Sequence, residues 1–245
     1  MTWIKICGMT NLEDARIAVE AGADAVGFVF YEKSPRNITV EAAREIVERL
    51  PESVEKIGVF VPGDGIEPWK IVLQAGLTGW QTYLSAAGGT QSGGNMGVDV
   101  DLLPKLTRFL RSLPLNLFGE GEEQLRDLAS SFAIRGKNLR EGLPLPEGLL
   151  NTIVLDSGDL RQPGGTGKMF DWKAAVPVAE GMRQGGVKLI VAGGLTPDNV
   201  GEAMEILKPW GVDVVSGVEA RPGKKDPEKV RTFVKAVRAV DRKAS

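Results

Sequence analysis

Short runs of apolar, largely β-branched residues alternate along the chain with stretches whose apolar positions recur every three to four residues. The clear runs are 3–7 (WIKIC), 25–30 (AVGFVF), 56–61 (KIGVFV), 152–156 (TIVLD), 188–192 (KLIVA) and 212–216 (VDVVS). Their near-continuous apolar character is that of parallel strands covered on both faces. The stretches between them carry helix signals. Asn11 can cap a first helix, with Glu13 and Asp14 in its first turn and Gly22 at its end. Thr39 opens a second, with Val40, Ala43, Val47 and Leu50 as its apolar stripe and Pro51 as its stop. Thr196-Pro197 opens another, with Val200, Ala203, Met204 and Leu207 inward. Asp226-Pro227 opens the last, with Val230, Phe233, Val234 and Val237 inward. Such β-α alternation predicts a parallel sheet with right-handed crossovers.

The middle of the chain is less regular. Residues 79–84 (GWQTYL) and 132–137 (FAIRGK) are the expected fourth and fifth strands. Residues 85–97 (SAAGGTQSGGNMG) are rich in Gly and Ser and predict a flexible loop. The long connection between the two strands is expected to be an insertion within one domain. A length of 245 residues suits one eight-stranded barrel or two smaller domains.

Composition narrows the chemistry. The formal net charge is −2, so nothing argues for nucleic acid, and an anionic substrate must be held by local groups. The single cysteine, Cys7, excludes an intramolecular disulfide. The N-terminus lacks the apolar core of a signal peptide, and no apolar run has the length of a membrane span, so a cytoplasmic location is expected. The chain has no histidine, which excludes a Ser-His-Asp triad, a Cys-His dyad and any His-ligated metal. Proton transfer falls to Asp, Glu, Cys, Lys or Tyr. No metal or cofactor is expected.

In parallel α/β folds function gathers where strands end. The first strand ends in Cys7-Gly8, and the second is followed by Lys33-Ser34-Pro35-Arg36. The sixth ends in Asp156, ahead of Gly164-Gly165-Thr166-Gly167-Lys168. The seventh runs into Gly193-Gly194 and the eighth into Ser216-Gly217. A glycine here can be a simple turn former. Pairs after two neighbouring strands instead suggest backbone N–H groups converging on a phosphate. Cys7 can be a small buried hydrophobe or a reactive thiol. Asp156 is a cap or a functional carboxylate, because burying it unpaired is costly. Arg36 is a surface charge or a bidentate clamp for a carboxylate.

Taken together, several segments resemble the phosphoribosylanthranilate isomerase family. They are KICGMTN at 5–11, GADAVGFVF at 22–30, KSPR at 33–36, VLDS at 154–157, GGTGKMFDW at 164–172, AGGLTPDNV at 192–200, DVVSGVE at 213–219 and PGKKD at 222–226. They occur in the family's order and cover the first quarter and last third of the chain. The resemblance implies a single (β/α)8 TIM barrel and a cofactor-free Amadori rearrangement in tryptophan biosynthesis. N-(5-phospho-β-D-ribosyl)anthranilate would become 1-(2-carboxyphenylamino)-1-deoxyribulose 5-phosphate. It also implies roles. Cys7 would be the general base and Asp156 the general acid. Arg36 would meet the anthranilate carboxylate, and Asp213 the sugar-derived part. Gly167, Gly193, Gly194, Ser216 and Gly217 would surround the phosphate. At their reference pKa values Cys7 would be a thiol and Asp156 a carboxylate near neutral pH, so a working site must shift both.

The departure from the family lies on the fourth strand. Where family members carry Gln-Leu-His-Gly, this chain has Gln81-Thr82-Tyr83-Leu84. Gln81 matches, and Tyr83 stands in for the histidine, where its ring is expected to stack on the anthranilate. Two alternatives remain open: another phosphosugar isomerase on the same fold, or a paralogue that binds a phosphorylated ligand without chemistry. The expected partner is a small phosphorylated molecule, with no nucleic acid or membrane, and the assembly a monomer or homodimer.

Overall fold

The computed structural model describes residues 1–61, 67–83, 108–114, 152–157 and 169–244. Eight parallel strands close into a barrel: β1 (Trp3–Cys7), β2 (Ala25–Phe30), β3 (Glu55–Phe60), β4 (Gly79–Tyr83), β5 (Arg108–Pro114), β6 (Thr152–Asp156), β7 (Lys188–Val191) and β8 (Gly211–Val214). Each pairs with the next, and β1 pairs with β8 to complete the ring. Six helices are described: α1 (Leu12–Ala21), α2 (Val40–Val47), α3 (Pro68–Ala75), α4 (Val176–Gln184), α5 (Val200–Leu207) and α6 (Pro227–Ala244). After β8 a short 3-10 turn (Ser216–Val218) leads into a small antiparallel ribbon, β9 (Glu219–Arg221) and β10 (Lys224–Lys225).

The local signals act as the sequence predicts at both ends of α1. Asn11 accepts a hydrogen bond from the Asp14 amide at 2.9 Å, and Gly22 takes the left-handed conformation that closes the helix, φ 100°. Thr39 caps α2 in the same way, through the Ala42 amide. The expected start of α5 at Thr196-Pro197 is three residues early, since the helix begins after Asn199. The side chain of Asn199 accepts from the Thr196 amide and donates to the Gly194 carbonyl, so it braces the loop that precedes the helix.

The fifth strand needs a correction. The strand between β4 and β6 is Arg108–Pro114, which pairs with both, not 132–137. Its sequence, RFLRSLP, opens on one arginine and interrupts its apolar residues with Arg111 and Ser112. It therefore lacks the continuous apolar run that marks the other strands. Residues 132–137 and the Gly/Ser-rich 85–97 lie outside the described residues.

Strand alternation divides the side chains. On β1, Ile4 and Ile6 join the large core between sheet and helices, while Trp3, Lys5 and Cys7 turn into the barrel. The interior is layered from one end to the other. At the N-terminal end Trp3 clusters with Ala25, Ile57, Val154 and Ile190, and stacks on Trp210 with ring centroids 5.4 Å apart. At the opposite end Cys7 and Val59 meet Val29, Val61 and Val215. Between them lies a layer with buried charge, built on Lys5, Gln81 and Asp213.

Candidate active site

The C-terminal mouth of the barrel opens into a cavity of about 390 Å³, a size suited to a small ligand. Cys7 reaches it from β1. Its partner in the register on β2 is Gly27. A β-carbon on Gly27 would lie 2.5 Å from Cys7 Sγ and 3.0 Å from Lys5 Cε. Glycine at that position thus makes room for both side chains at once. Burial pushes the Cys7 thiol above its ordinary range, and the nearby Asp213 carboxylate adds to this, while Lys5, then Lys225 and Arg36, oppose it. The net shift is upward, opposite to what a thiolate base requires.

Lys5 is fully buried. Its register partner on β8 is Asp213, which it meets through an ion pair of 2.6 Å, and it donates to Gln81 Oε1 on β4 at 2.5 Å. Burial by itself lowers its pKa. The Asp213, Cys7 and Asp156 charges outweigh that, and the Lys5 pKa stands above the usual lysine value. Asp213 Oδ2 is occupied by Lys5, whereas buried Oδ1 has no hydrogen-bond partner among the described residues. Asp213 lines the cavity, so a ligand hydroxyl or amine could satisfy that orphaned acceptor.

Arg36 comes from the loop after β2 and is also buried. Its Nε and Nη2 donate to the two carboxylate oxygens of Glu219 on β9, at 2.9 and 2.7 Å. That uses one edge of the guanidinium and leaves the Nη1–Nη2 end for a second bidentate partner. Gly8, with φ 83°, keeps space beside it: a β-carbon there would meet Arg36 Cδ at 2.8 Å. Glu219 also accepts from buried Lys225 at 3.2 Å. Burial raises the Glu219 pKa, but Arg36 and Lys225 overcome this and hold it below the usual carboxylate range. Lys225 itself is pushed down by burial, with Glu219 and Cys7 opposing. The ribbon carrying these groups is anchored to α1, because Asp14 accepts from the Lys225 amide and pairs with Lys224, each at 2.7 Å.

The glycine loops sit on the other side of the cavity. Gly193 and Gly194 follow β7 with φ 81° and 66°, a conformation that side chains disfavour. Gly217 is required for another reason: a β-carbon on it would lie 1.8 Å from the Leu195 carbonyl oxygen, so the two loops touch backbone to backbone. Ser216, Gly217, Gly193 and Gly194 line the cavity together with Asp156, which closes β6, and with Cys7, Arg36, Gln81 and Asp213. Gly167 and the side chain of Tyr83 lie outside the described residues.

Known proteins resemble this chain in sequence and in fold. The family described as N-(5'phosphoribosyl)anthranilate (PRA) isomerase matches residues 4–75 and 147–236. The chain belongs to the phosphoribosylanthranilate isomerase family. It is 39% identical over 234 residues to the N-(5'-phosphoribosyl)anthranilate isomerase of Geobacter sp. (strain M21), covering 96% of this chain and 97% of that one. Among solved structures it is similar to monomers of the dimeric phosphoribosylanthranilate isomerase from Thermotoga maritima, with a TM-score of 0.68, 33% identity, and 98% and 100% of the two chains covered. A phosphoribosylanthranilate isomerase in complex with reduced 1-(o-carboxyphenylamino)-1-deoxyribulose 5-phosphate aligns with a TM-score of 0.67, 33% identity, and the same coverage. The protein is thus an isomerase of tryptophan biosynthesis on a (β/α)8 TIM barrel. Among the described residues no helix is long and apolar enough to cross a membrane.

Three residues at this isomerase site were not singled out from the sequence: Lys5, Glu219 and Lys225. Lys5 had a signal. It is a lysine inside an otherwise apolar strand, two positions before Cys7 and therefore on the same face. Glu219 and Lys225 had none, because their juxtaposition depends on the ribbon folding back over the mouth.

Proposed function

We propose that this isomerase converts N-(5-phospho-β-D-ribosyl)anthranilate to 1-(2-carboxyphenylamino)-1-deoxyribulose 5-phosphate, with Cys7 as general base and Asp156 as general acid. The observation that carries the reading is that these two groups, delivered by β1 and β6, line the same cavity as the glycine loops after β7 and β8. Asp156 donates a proton to the ribose ring oxygen, the ring opens, and a Schiff base forms at C1. Cys7 as thiolate removes the proton from C2. The resulting enolamine takes up a proton at C1 and gives up its C2 hydroxyl proton, which yields the aminoketose. Exchange with solvent returns Cys7 to the thiolate and Asp156 to the acid. No atom is gained or lost overall.

A binding mode is proposed on the same geometry and on the family resemblance. The free end of Arg36 takes the anthranilate carboxylate, and the orphaned oxygen of Asp213 accepts from the sugar-derived part. Backbone N–H groups around Gly193, Gly194, Ser216 and Gly217 take the phosphate, with Gly167 completing the cradle. Gln81 and Tyr83 border the aromatic ring. The enzyme works in the cytoplasm as a monomer or homodimer, one domain with an insertion around 85–97. The test is to mix purified protein with freshly prepared phosphoribosylanthranilate and follow the loss of its fluorescence. Decay no faster than the uncatalysed rate would sink the proposal.

A further inference from the structure

The layer beneath the mouth of the barrel holds a cation that the proton transfers described above do not use. Lys5 is wholly buried, and its ammonium has three N–H donors. Gln81 takes one and Asp213 a second. The third has no acceptor among the described residues, and the side chain lies against Cys7 over Gly27. A buried thiolate needs a nearby positive charge, because desolvation penalises the charged form. We propose that Lys5 is a positioning residue for the base: its ammonium, clamped by Asp213 and Gln81, supplies the counter-charge that makes the buried Cys7 thiolate accessible. The inference rests on Cys7 being the base.

The other charged groups around the thiol do not fill this role as directly. Arg36, from the loop after β2, and Lys225, on β10, share the carboxylate of Glu219 on β9. Asp156 closes β6 and Asp213 lies on β8, and both are acidic. Lys5 shares the inner face of Cys7's own strand, two residues away, so the strand itself fixes its height relative to the sulfur. Among the cations it is also the one that lowers the Cys7 pKa most. Asp213 has a double part: its charge disfavours the thiolate, yet its grip on Lys5 keeps the opposing ammonium protonated and in place.

The chain's single cysteine makes the test direct, because alkylation by iodoacetamide, read by intact mass, reports on Cys7 alone. The rate is measured against pH for the wild type, Lys5→Met and Lys5→Arg. Lys5→Met is expected to raise the titration midpoint by about one pH unit or more, which cuts thiolate about tenfold at any pH below it. Its kcat falls by a similar factor near neutral pH, recovers as pH rises, and leaves KM within about threefold. Lys5→Arg keeps the charge and stays near the wild-type midpoint. A folded Lys5→Met with an unchanged or lowered midpoint overturns the proposal. If that variant does not fold because Asp213 is left buried and unpaired, Lys5→Met/Asp213→Asn removes both charges. A smaller rise is then expected, and no rise overturns the proposal. Failure of the underlying reading looks different: Cys7→Ala would keep its turnover, which would end the positioning role even with the thiol midpoint shifted.

Discussion

The two ends of the barrel interior follow different rules. At the N-terminal end, Trp3, Ala25, Ile57, Val154 and Ile190 fill the space with apolar side chains, and Trp210 stacks beneath them. At the C-terminal end, the strands contribute Lys5, Cys7, Gln81, Asp156 and Asp213, and the connections add Arg36 and the glycines. The same strands supply both ends. Two residues along β1 separate the Trp3 floor from a buried lysine, and two more reach the thiol. Floor residues act through packing, and their loss is felt in stability. Mouth residues gather charge around the cavity, and their loss is expected to be felt in chemistry.

The strongest test of that division is at the floor. Trp3→Ala should cost about 3–5 kcal/mol in a urea unfolding experiment, as for other large aromatic truncations. The fraction that remains folded should turn over at close to the wild-type rate. A large fall in kcat without loss of stability would show that the two ends are not separate. Next come Cys7→Ala and Asp156→Ala. Each should slow the reaction by about a hundredfold or more, equivalent to roughly 2.7 kcal/mol of barrel-mouth chemistry, while the thermal midpoint hardly moves. Near-wild-type turnover in either variant would withdraw its role.

Gly217→Ala tests the border between the two regimes, since that glycine packs against Leu195 and also lines the cavity. With a β-carbon 1.8 Å from the Leu195 carbonyl oxygen, the two loops must separate. A stability loss of about 1–3 kcal/mol is expected, the usual range for overpacking. Steady-state kinetics should show KM rising more than kcat falls, as the proposed role of these loops in holding the phosphate requires. An unchanged KM would place the phosphate elsewhere.

The smaller effects are pH dependences. Cys7 has a raised pKa, so its base form is the minor one below that value and grows tenfold with each pH unit. The rate kcat/KM should therefore climb through neutral pH and on beyond the ordinary thiol range, and a profile that is flat or falling from pH 7 to 9 would argue against a thiolate base. Glu219 has the opposite shift. Its lowered pKa contributes stability that is present above the ordinary glutamate value and is lost as pH falls through the folded value. Glu219→Gln should lessen the acid sensitivity of the thermal midpoint; equal sensitivity in both proteins would assign acid unfolding to other carboxylates.

The sequence by itself determined the frame of this enzyme. Six of the eight strands announce themselves as apolar runs, and the caps Asn11 and Thr39 and the stop Gly22 act as read, because those signals are local. It also determined which strand ends carry Cys7, Asp156 and the paired glycines, since position along a strand fixes which end a residue occupies. The fifth strand was not legible: Arg108–Pro114 has a mixed pattern, and its identity comes from pairing with β4 and β6. The tertiary structure alone decided how charges are shared. Lys5 meets Asp213 across 208 residues of chain, and Arg36 meets Glu219 across 183. It also showed that Gly27 and Gly217 are glycines because other atoms occupy the space of their side chains. The physical reason is the same in each case. Propensity and periodicity act over a few residues, whereas the charge and packing that surround a group depend on barrel closure, which brings the two ends of the chain together.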